Sequence, residues 1–330
     1  MYRGICTAIL VIISLGGEAY ADLRMNPDHI KGPDACGECH KKSVESWKQS
    51  HHAKSFKTLP RSENARDIAK KMGLKRIKAD SDCLTCHFTS AMVEEKVKPI
   101  AGISCESCHG AGAEWIDVHS DFGGKDVKAE NEDPAHKVER YSKSEAVGMI
   151  RPSNMYALAE NCYQCHTVPN EKLVNVGGHT AGSAFELVRW SQGEVRHNLW
   201  YTDANEGASI ERRRMMFIVG KALDLEYALR GVAKATEPKK YAKAMAKRAA
   251  TARKQIAAIA KRIQSPEIDQ IVEISSGVKL KLNNEEALSA AALAVSNATR
   301  ALAKRYDGSE FGGIDGALPT EDKYKGLVTP

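Results

Sequence analysis

Four copies of one pentapeptide pattern punctuate the first half of the chain: Cys36-Gly-Glu-Cys39-His40, Cys83-Leu-Thr-Cys86-His87, Cys105-Glu-Ser-Cys108-His109 and Cys162-Tyr-Gln-Cys165-His166. Two thiols separated by two residues can form thioethers to the two vinyl groups of one haem, and the histidine that follows then lies under the iron as its proximal ligand. The pattern predicts four covalently bound haem c groups, with Cys36, Cys39, Cys83, Cys86, Cys105, Cys108, Cys162 and Cys165 as attachment points and His40, His87, His109 and His166 on the metals. Of nine cysteines only Cys6 lies outside the motifs, so no pair is left for a disulfide. Zinc ribbons and redox-active dithiols also use Cys-x-x-Cys pairs, but neither requires a histidine after every second cysteine.

The chain opens with Met1-Tyr2-Arg3, an apolar stretch from Ile5 to Leu15, and Ala19-Tyr20-Ala21 before Asp22. This reads as a secretory signal peptide over 1–21, cleaved near Ala21 and too short in its apolar part to span a bilayer. The mature protein is expected to be exported to the periplasm, where covalent haem assembly takes place, and not to span the membrane. The mean hydropathy of −0.41 agrees. The formal charge of +6 gives no case for nucleic acid binding. Ionised propionates of four haems would bring it to roughly +2 oxidised and −2 reduced.

Residues 22–206 hold all the motifs and are rich in Gly, Pro, Ser and charged residues, as suits a loop-rich module whose short helices pack on four haems. The aromatic content of 6% fits a module in which the macrocycles themselves form the core. Over 207–310 alanine dominates and 3.6-residue periodicities appear. One helix is expected from Ser209 to Arg230 with Gly231 as its stop. A second runs from Thr236–Pro238 to Ser265-Pro266, and a third from Asn284 to near Gly308. The stretch from Ile268 to Leu282 stays unassigned, and 311–330 is a tail. The fold class is mainly α: a multihaem cytochrome module followed by an antiparallel helical bundle or a hairpin packed on it. Opposite its apolar stripe the second helix carries Lys239, Lys240, Lys243, Lys247, Arg248, Arg253, Lys254, Lys261 and Arg262. This is either a solvated face that balances haem propionates or a surface that steers an acidic redox partner.

Seven further histidines precede the helical region: His29, His51, His52, His119, His136, His179 and His197. A second histidine makes a haem iron six-coordinate, whereas an empty face admits a small ligand. Here the residues resemble a family. Cys39-His40-Lys41, Ser46-Trp47-Lys48, His52-Ala53-Lys54, Asp82-Cys83 and Gly102-Ile103-Ser104-Cys105-Glu106-Ser107-Cys108-His109-Gly110 are similar to the tetrahaem cytochrome c-554 family of ammonia-oxidising bacteria. The likeness extends over about Cys36 to His197. It implies closely stacked haem pairs, with His119 opposite His40, His52 opposite His109, and His197 opposite His166, for which His179 competes. It also implies an iron on His87 without a protein ligand on its far side, unless His136 or His179 closes it. The long C-terminal helices depart from that family.

The resulting expectation is a periplasmic carrier of electrons between redox proteins. The resemblance implies a donor of the hydroxylamine-oxidising type and a membrane-anchored, quinone-linked cytochrome as acceptor, and an acidic-surfaced oxidoreductase would suit the basic helix. The alternative is a reductase of nitric oxide, nitrite or hydroxylamine at an open second haem. No nucleophile, metal triad or nucleotide fingerprint points to other chemistry, so the chain reads as a carrier before an enzyme.

Overall fold

The computed structural model describes residues 25–79, 81–200 and 204–328. The expected signal peptide and Cys6 lie outside the described residues. The motif half is a string of short helices: α1 (Pro33–Gly37), α2 (Lys41–Gln49), α3 (His51–Thr58), α4 (Glu63–Lys71), α5 (Asp82–His87), α6 (Cys105–His109), α7 (Ile116–Ser120), α8 (Pro134–Ala146), α9 (Met155–His166), α10 (Glu171–Asn175) and α11 (Leu187–Ser191). Each pentapeptide sits on helical backbone, and the physical reason is the spacing. Side chains at i, i+3 and i+4 share one face of a helix, so both thiols and the imidazole are presented together. In the first motif α1 ends at Gly37, yet the bond from His40 N to Cys36 O (2.9 Å) continues the helical geometry.

The strands among the described residues form one antiparallel hairpin, β1 (Thr89–Val93) and β2 (Lys96–Ala101), between the second and third motifs. Glu94 and Glu95 at its tip both have positive φ, the backbone that a two-residue hairpin turn demands. At its open end Thr89 Oγ1 donates to Gly102 O at 2.8 Å and lies 2.9 Å from Ser104 Oγ, which locks the end of α5 to the start of α6.

The second half is a helical bundle, as expected, but with four helices: α12 (Ile210–Lys234), α13 (Lys240–Ala260), α14 (Pro266–Gly277) and α15 (Glu285–Arg305). Helix α14 occupies the stretch that the periodicity leaves unassigned. Ser265 caps it by accepting from Ile268 N, and Pro266 stands at its first position, so the dipeptide that ends one helical segment also begins the next. Helix α12 does not stop at Gly231. That residue is buried, and a Cβ there would lie 2.7 Å from Met245 Cγ and 3.2 Å from Tyr241 Oη, so its glycine allows α13 to pack close to α12.

Helix α12 is the axis of the molecule. Ile218, Val219, Ala222, Leu223, Leu225, Ala228 and Leu229 are almost fully buried, covering more than the one stripe of a surface helix. They pack against α13 and α15 on one side and against α9 on the other. One apolar cluster therefore runs from Tyr156, Tyr163, Val174, Leu187 and Val188 of the motif half into the bundle. A second cluster in the motif half is small, centred on Ala69, Ile77 and Phe88. Among the described residues no helix is long and apolar enough to cross a membrane.

A buried polar knot fastens the halves together. Tyr156 of α9 donates to Glu226 Oε2 at 2.6 Å and lies 2.7 Å from Ser296 Oγ of α15. Arg230 Nε donates to the other Glu226 oxygen at 2.9 Å. Burial pushes the Glu226 carboxyl above its usual range, so these donors offset a real desolvation cost. Removing one of them should be felt. Tyr156→Phe is expected to lower stability by about 1.5–3 kcal/mol, seen as a lower Tm by circular dichroism at 222 nm.

Candidate functional site

The site is built from eight imidazoles that face one another in four pairs. Ring centroids are 6.2 Å apart for His40 and His119, 6.5 Å for His87 and His179, 6.2 Å for His109 and His197, and 6.4 Å for His52 and His166. Every motif histidine therefore has a second histidine ring opposite it. The first pair matches the expected one. The others differ: His52 faces His166 and not His109, His197 faces His109 and not His166, and His87 has His179 on the side that the resemblance leaves open. Of the remaining histidines, His136 bonds Glu132 Oε1 at 2.8 Å, His51 bonds Glu194 Oε2 at 2.6 Å, and His29 lies 3.4 Å from Glu114.

These spacings suit a shared metal. Two imidazoles on opposite faces of one ion, at about 2 Å per metal–nitrogen bond, have centroids roughly 6.3 Å apart once the ring radius is added. The hydrogen bonds agree with ligation through Nε2. Nδ1 of His109 is 2.9 Å from Ile150 O, that of His179 is 2.9 Å from Thr180 O, and that of His197 is 2.7 Å from Val195 O; His119 makes the same bond to Ile116 O. A carbonyl can only accept, so in these rings the proton is on Nδ1 and the Nε2 lone pair is free for a metal. Burial lowers His40, His52, His109 and His119, and brings His87 and His166 down to about 4, with neighbouring imidazoles adding to the effect in His40, His87 and His166. Neutral imidazole is the form that ligates.

The cysteines show which motifs adjoin. Cys36 and Cys105 lie near enough to perturb one another, and Cys105 together with burial raises Cys36. Cys86 and Cys165 do the same, raising Cys165. Asn161, just ahead of the fourth motif, donates from Nδ2 to Cys108 O at 2.9 Å. The first motif thus lies on the third, the second on the fourth, and the third beside the fourth. Burial alone pushes Cys108 to about 11, the opposite of what a zinc thiolate or a reactive dithiol needs. Among the described residues no three or more His, Cys, Asp or Glu side chains converge on a point that would hold a bare metal ion.

Local sequence explains how the distal rings are carried. Ser50 caps α3 by accepting from Ala53 N at 3.2 Å, which sets His51 and His52 in the first turn. The hairpin end passes so close that a Cβ on Gly102 would stand 2.0 Å from His52 O, so a side chain there would displace the backbone that carries the His52 ring. Trp47 Nε1 donates to Ile103 O at 2.7 Å and ties α2 to the third motif. Sequence reasoning missed Glu106, inside the third pentapeptide. It is 1% exposed and accepts from Gly112 N at 2.7 Å, Gly32 N at 2.8 Å and Lys31 N at 2.9 Å. The one available signal was a charged residue between the two cysteines of the motif.

Paired thiols on short helices, each followed by an imidazole facing a second imidazole, are the construction of a c-type cytochrome. Residues 35–110 match the family described as cytochrome c554 and c-prime. Cytochrome c-554 of Nitrosomonas europaea is 27% identical over 171 residues, which is 49% of this chain and 66% of the relative, just under two thirds of its length. Both are likenesses over part of the chain. No solved structure matches it. The family match includes Glu106, whose carboxylate anchors the strand of chain leading into the first motif. Glu106→Ala strips three backbone N–H groups of a charged acceptor and is expected to lower stability by about 3 kcal/mol, read from the midpoint of guanidinium unfolding.

Proposed function

We propose that the protein is a periplasmic electron carrier with four haem c groups, each attached through one Cys-x-x-Cys pair and held between two histidines. The residues that would hold the irons are His40 with His119, His87 with His179, His109 with His197, and His166 with His52. The observation that carries this reading is the fourfold repetition of one ring spacing, 6.2 to 6.5 Å, at all four motifs. When bound, each haem supplies a one-electron iron couple, generally of low potential when both axial ligands are histidine.

The chain's own contribution is order and exclusion. The proximity of Cys36 to Cys105 and of Cys86 to Cys165, with the Asn161–Cys108 bond, makes the neighbours first–third, second–fourth and third–fourth motif, so haems held there would be ordered differently from the sequence. An imidazole on each face leaves no position for a small substrate. The reductase alternative requires an open face opposite His87, and the His179 ring on that side weighs against it. Donor and acceptor are redox proteins. The family resemblance favours a hydroxylamine-oxidising type of donor and a membrane-anchored, quinone-linked acceptor. Lys243, Lys247 and Lys254 on α13 and Lys261 at its C-cap are exposed and would favour an acidic-surfaced partner. Export rests on the signal-peptide reading of 1–21.

The intact mass of the mature protein should exceed the polypeptide by four haems, and the ferric protein should show only low-spin signals by electron paramagnetic resonance. The ferrous form should bind no carbon monoxide, and His179→Ala should create about one high-spin, carbon-monoxide-binding haem per chain. High-spin iron and carbon monoxide binding in the unaltered protein would favour the reductase.

A further inference from the structure

We infer that the C-terminal helical region is a positioning device for the second haem: α13 clamps the loop that carries His179 and thereby keeps its imidazole opposite His87. This rests on the axial pairing proposed above. The loop from Val176 to Ser183 leaves α10, makes a double-glycine turn at Gly177 and Gly178, and returns toward His166. Two side chains of α13, placed eight residues apart on one face, hold its backbone. Lys240 Nζ donates to His179 O at 3.1 Å, and Arg248 Nη1 donates to Ser183 O at 3.0 Å. Arg248 is itself fixed by an ion pair with Asp224 of α12.

The helix preceding the loop is fastened to the same corner. Glu171 Oε2 accepts from Thr236 N at 2.9 Å and Thr236 Oγ1 at 2.8 Å, and Asn175 Oδ1 accepts from Tyr241 N at 3.0 Å. Lys239, at the cap position of α13, makes no capping bond of its own, so Glu171 and Asn175 satisfy the amides where the α12–α13 connection turns into the helix. Val174, 1% exposed, packs into the bundle core between them. On the other side, Asn170 Nδ2 reaches Asp82 Oδ2 at 3.3 Å, beside Cys83 of the second motif. Through Asn170, α10 spans from the helical bundle to the haem that His179 would close. Inside the loop, His179 N donates to Leu173 O at 3.2 Å, so an α10 held in place fixes the ring-bearing residue directly. Part of the basic face of α13 therefore has a structural task in the site and is not free surface.

The test compares carbon monoxide binding by the ferrous holoprotein across variants. Glu171→Ala/Lys240→Ala should raise binding from none to at least half a haem per chain, with a matching ferric high-spin signal, while Lys240→Arg retains the closed state. Should the double variant fail to mature, Lys240→Ala alone is read in the same way. In a His179→Ala background the brace substitutions should open no additional haem. The inference is overturned if the brace variants bind no carbon monoxide although His179→Ala does, or if they open a further haem in that background. It is also overturned if Tyr156→Phe, which loosens the same bundle away from the loop, opens the haem equally. If His179→Ala itself opens nothing, the axial pairing fails and the brace with it.

Discussion

Each of the four histidine pairs joins segments that are remote along the chain, and the arrangement of the motif half depends on those pairings. His40 reaches past the third motif to His119, His52 passes from the first motif to the fourth, and His87 and His109 look forward to His179 and His197. The imidazoles fall into two groups. His119, His109 and His197 lie near enough to His40 to lower it, while His179 and His52 act on His87, and His52 and His87 on His166. No segment of the motif half can close its own site. The apolar cluster confined to that half is small, centred on Ala69, Ile77 and Phe88.

The bundle solves the complementary problem. It has a continuous apolar core, and it lends rigidity to the histidine-bearing segments by packing α12 on α9 and α13 on α10. The Tyr156–Glu226–Arg230 knot lies where a merely apolar contact would have allowed sliding, and directional bonds fix one register between the halves.

Much was legible in the sequence. The pentapeptides announce the attachment chemistry because thioether formation and proximal ligation are local: five residues on one helical face suffice. The three long amphipathic helices were legible for the same reason, since a 3.6-residue stripe is a short-range pattern. Helix α14 was not, because its buried positions at Ile268 and Ile271 sit among Glu267 and Ser275, which are also buried, and the stripe is blurred. Gly231 misled because glycine serves two purposes, ending helices and allowing them to approach, and only a neighbour such as Met245 distinguishes them.

The distal histidines mark the boundary. By itself the sequence determined that four motifs carry the Cys-x-x-Cys-His pattern, that its second half is helical, and that seven further histidines are available as partners. It could not say which imidazole meets which motif, because spacing along a chain carries no record of how loops fold back. Tertiary structure decided that His52 faces His166, that His197 faces His109, and that His179, held by a helix some sixty residues further on, faces His87. The physical reason is that axial ligation is a contact across space, fixed by the packing of whole helices and not by any neighbouring residue.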